Sequence, residues 1–212
     1  YVEVTYYDLT IETNGGGNFR FNGNVKIHVN LRKEGLNKIT LHSKELHLES
    51  CSFKGQNSKE PTGVSKIVYD LKLNTVTMVF KAPLPKGPGV LNIAYIGTHN
   101  DQMAGFYRSG YVDRQGNKAV MLSTQFEALD ARRCFPCVDE PAQKAVFKPT
   151  LIIDDGLTAL SNMPEESNTL LDDGKRRKVV FGETPKMSTY LLAFCVGDFD
   201  YVEKKSGHGV VI

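Results

Sequence analysis

The sequence predicts an all-β fold, an antiparallel β-sandwich or related two-sheet fold carrying one or two short helical turns. Three observations carry that prediction. Apolar and polar residues alternate in run after run, turn signals interrupt the runs at short intervals, and no long amphipathic helix appears. A chain of 212 residues, 41% apolar and without linker, repeat or low-complexity tract, reads as one domain over residues 1–212.

The strands follow in order. Phe21, Val25, Ile27, Val29 and Leu31 alternate with Asn22, Asn24, Lys26, His28 and Asn30, with Gly23 on the apolar side, which describes a half-buried strand. Ile67, Tyr69, Leu71 and Leu73 repeat the pattern, as do Val76, Met78 and Phe80, then Leu91, Ile93 and Tyr95. Between Ile39 and Leu48 the apolar phase slips from odd (Ile39, Leu41) to even (Leu46, Leu48), so a bulge is expected near Ser43 to Glu45. Turns are signalled at Asn14-Gly15-Gly16-Gly17, Glu34-Gly35, Pro61-Thr62-Gly63, Pro83 to Gly89, Gly116-Asn117, Asp154-Asp155-Gly156 and Asp172-Asp173-Gly174.

One stretch departs from this pattern. "TQFEALDARRCFPCVDEPAQKAVF", Thr124 to Phe147, holds four carboxylates, two cysteines three apart and two prolines. Asp130 can cap a short helical turn through Cys134 that Pro136 ends, and Asp139 can cap a second turn with Pro141 early in it. Strand resumes from Ala145 to Ile153. Two polar turns between strands are a place where a sandwich presents side chains outward.

Charge excludes some partners. A formal charge of +2, from 26 bases and 24 acids, gives no case for nucleic acid or a membrane surface. The basic run Lys175 to Lys178 follows a turn signal and reads as a solvated hairpin tip. No apolar run approaches the ~18 residues of a membrane helix. No signal peptide is visible in a chain that opens on Tyr1 rather than methionine. Four scattered cysteines and 13 asparagines without an N-x-S/T acceptor point to reduced thiols and a cytoplasmic protein.

Cys134-Phe135-Pro136-Cys137 lacks the long helix of a redox dithiol and the second pair of a structural zinc site, so the thiols are expected to be packing residues. His42 and His47 stand five apart in a strand, where two zinc histidines on a helical face would stand four apart. With His28, His99 and His208 they read as surface histidines. No nucleophile elbow, phosphate loop or paired Cys and His is present, so no catalytic residue and no metal ligand is assigned.

The crowded stretch resembles the N-terminal domain of zinc aminopeptidases of the aminopeptidase N family, most closely the puromycin-sensitive branch. "FNGNVKIHV", "ITLHSKEL", "MAGFYRS", "ALSNMP" and "TPKMSTYLLAFCVGDFDYVE" extend the resemblance, in order, over nearly the whole chain. The family usually keeps only the second cysteine of the C-x-x-C, which makes Cys134 incidental. The resemblance implies a β-saddle or sandwich packed on its own thermolysin-like catalytic domain, which would hold the zinc through H-E-x-x-H and a downstream Glu. None of that machinery is in this chain, which stops at "GHGVVI" and is expected to be an inactive fragment. The resemblance also implies that Gln125 lines the pocket for a substrate's first side chain. Glu127 would bind the free α-amino group of a peptide. The remaining charged residues, Asp130, Arg132, Arg133, Asp139, Glu140 and Lys144, are expected to cross-link the turns and hold that pair rigid. A first-turn acid of the short helix is the competing role for Glu127. The competing function is a free-standing β-sandwich that only binds protein or carbohydrate.

Overall fold

The structure is a computed structural model and describes residues 1–13 and 18–209. Fourteen strands lie among them: β1 Val2–Thr13, β2 Arg20–Leu31, β3 Leu36–His42, β4 His47–Gly55, β5 Thr62–Asp70, β6 Thr75–Leu84, β7 Gly87–Thr98, β8 Gly105–Val112, β9 Lys118–Gln125, β10 Val146–Asp154, β11 Thr158–Ser161, β12 Glu165–Leu170, β13 Arg176–Phe181 and β14 Phe194–Gly197. They form a ten-stranded sheet ordered β12-β13-β10-β1-β2-β7-β4-β5-β6-β3 and a four-stranded sheet ordered β11-β14-β9-β8. The all-β prediction holds. The pairing is antiparallel except between β1 and β10, which run parallel with Tyr7 opposite Phe147.

Alternation is what buries one face. In β2 every second residue from Phe21 to Leu31 is buried, Gly23 included. A Cβ on Gly23 would lie 2.1 Å from the Tyr95 ring, and one on Gly97 would lie 2.1 Å from the Phe21 ring. Phe21 faces Gly97 and Gly23 faces Tyr95 across β2 and β7. The far end of each ring therefore fills the space where the facing glycine's side chain would stand, and a larger residue at either glycine has no room.

The two sheets are joined by a chain of aromatic contacts. Tyr7 stacks on Phe147 at 4.9 Å, and Phe135 meets Tyr7 edge-on at 5.7 Å. The chain continues through Phe126 (6.1 Å) and Phe194 (6.2 Å) to Phe106 (5.0 Å) and Phe21 (5.5 Å). Edge-to-face rings at these separations add to simple burial. Phe126 and Phe135, its middle links, both come from the crowded stretch.

Several expectations need correction. The run from Ile67 to Leu73 is not one strand: β5 ends at Asp70, whose Oδ1 accepts the backbone N–H groups of Lys72 and Leu73 at 3.0 and 2.9 Å. This side-chain turn, completed by Asn74 at φ 52°, leaves Leu71 and Leu73 exposed. The phase slip after Leu41 is a corner rather than a bulge. β3 pairs with β6 while β4 pairs with β7, so no single ladder carries the phase across, and Glu45 takes φ 59° at the bend. An irregularity does occur, later, between Leu48 and Ser50. The basic run does follow a hairpin turn, but within it only Lys175 and Lys178 are exposed. Arg176 pairs with Glu12 and Asp173, and Arg177 pairs with Asp155. The expected turn at Asn14 to Gly17 and the last three residues of "GHGVVI" lie outside the described residues.

Candidate functional site

Strand β9 delivers the candidate residues. Thr124 fixes its end: the Oγ1 accepts the Phe194 N–H at 3.0 Å and donates to the Phe194 carbonyl at 3.2 Å. Gln125, the last residue of β9, pairs with Gly105 of β8. Next, Phe126 turns inward and is buried between Phe135 and Phe194. Gln125 and Glu127 on either side of it are exposed. Alternation about one buried aromatic thus puts both polar side chains on the outer side. The Gln125 Nε2 donates to the Glu127 carbonyl at 3.4 Å, and the Asp130 N–H closes the turn onto the Phe126 carbonyl at 2.9 Å.

The segment behind them is fastened from three directions. A single helical turn forms at Ala131–Arg133, but the Asp130 side chain makes no capping bond. It pairs instead with Arg133 Nε at 2.8 Å, and Arg133 also pairs with Glu45. The N–H of Lys44 donates to the Arg132 carbonyl at 2.8 Å, and His42 and Cys137 exchange backbone hydrogen bonds at 2.8 and 3.1 Å. From β1, the Tyr7 hydroxyl accepts the Val138 N–H at 3.0 Å.

Asp139 does not cap a helix either. It is buried, and its Oδ2 takes the Arg132 Nε at 2.9 Å. A guanidinium removed from water needs a counter-ion more than a solvated turn needs a cap. The turn after Pro141 remains non-helical, tied down by the Ser188 hydroxyl donating to the Pro141 carbonyl at 2.6 Å. Glu140 and Lys144 are exposed, and among the described residues neither side chain cross-links this framework. Burial, with the Arg132 guanidinium nearby, holds the His42 imidazole below its usual range, and its Nδ1 accepts the Asp139 N–H at 3.1 Å.

His99 is not a surface residue. It is 2% exposed, wedged against Phe106 and Phe21 at 4.5 and 5.0 Å. Sequence reasoning also missed Glu45 and His42 as parts of the framework. The only trace of that corner in the sequence is the phase slip beside it.

Cys134 and Cys137 are completely buried, as expected of packing thiols, and burial raises both well above the ordinary thiol range. Protonated thiols are poor metal ligands. Among the described residues no group of three or more His, Cys, Asp or Glu could hold a metal ion, so the residues present do not fit zinc. No helix among them is long and apolar enough to cross a membrane.

The chain is 39% identical over 213 residues to the puromycin-sensitive aminopeptidase of Caenorhabditis elegans, covering 99% of this chain and 22% of that relative. It is 40% identical to "Aminopeptidase 2, mitochondrial" of Saccharomyces cerevisiae, over 95% of this chain and 21% of the relative. Identity to aminopeptidase M1 of Arabidopsis thaliana is 41%, over 91% of this chain and 22% of the relative. The chain thus spans about a fifth of the length of these curated relatives. Residues 3–191 match the family described as the peptidase M1 N-terminal domain, and the chain belongs to that family.

Proposed function

We propose that the whole protein is a zinc-dependent aminopeptidase and that this domain recognises the substrate's N-terminus. Glu127 pairs with the free α-ammonium group of a peptide, and Gln125 lines the pocket for its first side chain. The observation that carries this reading is the exposed carboxylate of Glu127, set two residues after Gln125 and anchored through buried Phe126. An enzyme that removes terminal residues must measure from the terminus. A carboxylate in a partly dry cleft attracts an ammonium and discriminates against an internal amide, which carries no charge.

The metal belongs to the catalytic domain in this reading, where it would activate the attacking water. The present domain binds, orients and excludes. It packs on the catalytic domain, a role supported by half-exposed Leu160 and Leu191 near the end of β9, where Ser123, Phe194 and Cys195 line a hollow. Free cysteines and the absence of glycosylation acceptors in the sequence support a cytoplasmic location.

The test uses the full-length enzyme. A hydrogen bond between charged groups is worth about 1.5–3 kcal/mol, so Glu127→Ala should lower kcat/KM on free-amine peptides by roughly 10- to 200-fold. Preference for a free over an N-acetylated terminus should fall with it. Wild-type kcat/KM in the variant, or loss by unfolding alone, would return Glu127 to a structural role.

A further inference from the structure

The loop from Asn100 to Gly105 leaves the sheet at the same end as Gln125. Gly105 opens β8 directly opposite Gln125. A Cβ on Gly105 would lie 2.5 Å from the Arg133 Cβ and 3.3 Å from the Asp130 carbonyl oxygen, so the loop is wedged against the turn that follows Glu127.

The loop is closed by polar groups. Asn100 Nδ2 donates to the Ala104 carbonyl at 2.7 Å, and its Oδ1 accepts the Gln102 N–H at 2.8 Å. Arg108 clamps the outer side, donating to the His99 carbonyl and pairing with Asp101 at 2.9 Å. Inside this polar frame stands one large apolar side chain, Met103, 69% exposed and at φ 55°.

Nothing in the fold rewards that choice. A left-handed backbone favours Gly, Asn or Asp, and a thioether left mostly exposed buries little surface of its own. A residue that breaks local rules without a structural return marks a functional position. Leu129, 51% exposed in the turn after Glu127, provides a second exposed apolar side chain at this end of the small sheet.

The geometry points to Met103 as a specificity-determining residue that forms an apolar wall of the pocket for the substrate's first side chain. This rests on the reading of Glu127 as the amine site: a substrate held there presents its first side chain at the end of β9, beside this loop. Methionine, unbranched and polarisable, adapts to aliphatic and aromatic partners of differing shape. The favoured class is peptides with a large apolar or aromatic N-terminal residue.

The experiment compares kcat/KM of the full-length enzyme on aminoacyl para-nitroanilides of alanine, leucine and phenylalanine. Met103→Asn suits the left-handed backbone, so folding should survive. It should lower the leucine-to-alanine and phenylalanine-to-alanine ratios about tenfold, the effect of a few lost apolar contacts. Met103→Leu should restore most of both ratios. Equal changes on all three substrates, or none, overturn the assignment. Glu127→Ala in parallel separates the two readings, because loss of amine binding lowers all three rates together. If Glu127→Ala leaves the rates unchanged, the amine reading falls, while the Met103 ratios still decide Met103.

Discussion

Asp139→Asn is the sharpest perturbation of the framework behind the candidate site. The Asp139 side chain is 2% exposed and that of Arg132 is 9% exposed. Oδ2 of Asp139 accepts from Arg132 Nε at 2.9 Å and from the Arg132 backbone N–H at 3.4 Å, and the Asp139 carbonyl accepts from Nη2 at 3.3 Å. An amide keeps the shape and removes the charge, leaving a guanidinium in a dry site without its counter-ion. Breaking a buried pair from one side costs about 3–5 kcal/mol. In a domain of this size each kcal/mol lowers the unfolding midpoint by about 2–4 °C, so Tm should fall by roughly 6–20 °C. Calorimetry on the 212-residue chain, wild type and variant at pH 7, reads it. The companion variant, Arg132→Met with Asp139→Leu, replaces the pair with apolar atoms. It should recover at least half of the lost Tm, because the desolvation cost leaves with the charges. A fall below about 2 °C for Asp139→Asn would mean that the pair is not isolated from water. A double variant as unstable as the single would assign the cost to shape rather than charge.

Two further predictions follow from burial. His99 has its pKa lowered to about 4, first by burial and further by the Arg108 guanidinium. The unfolded chain, with the ordinary value near 6.5, takes up the proton first as pH falls, so stability present above pH 6.5 is lost down to pH 4. The loss from this residue amounts to about 3 kcal/mol. Urea unfolding at pH 7 and 4.5 should show this slope in the wild type and a shallower one in His99→Phe; equal slopes would place His99 in contact with water. Among the thiols, only half-buried Cys195 should react with an aromatic disulfide reagent in the native state, and all four should react in denaturant. Cys134→Ala should cost about 1–2 kcal/mol by chemical denaturation. Fast native labelling of Cys134 or Cys137 would show that the crowded stretch opens.

Local rules sufficed where one ladder and one face decide a strand. The alternation from Phe21 to Leu31 needs only period two and a core on one side, and its burial follows residue by residue. The same holds for Val76 to Phe80 and for Leu91 to Tyr95. For Gln125 and Glu127 the two-residue spacing predicts side chains on one face, and both are exposed on either side of buried Phe126, although β9 ends at Gln125 and Glu127 already lies in the turn. At Asp139 burial overruled the local reading: the residue looks like a helix cap in sequence, but a buried guanidinium claimed it. Asp70 was missed for a different, local reason: the alternation hides a side-chain turn onto the N–H groups of Lys72 and Leu73 that ends the strand.

What the sequence determined by itself is the class of fold, most of the strands, the buried thiols and the family. Those depend on periodicity, composition and motif, all of which are local in the chain. Only the tertiary structure decided that β1 runs parallel to β10, that His99 is buried among rings, and that Glu45 and Gly105 reach the segment carrying Glu127. Each of these joins residues far apart in sequence, and such pairing is chosen by the shape of the shared core and the desolvation of whole clusters. Neither is a property of any short stretch of residues.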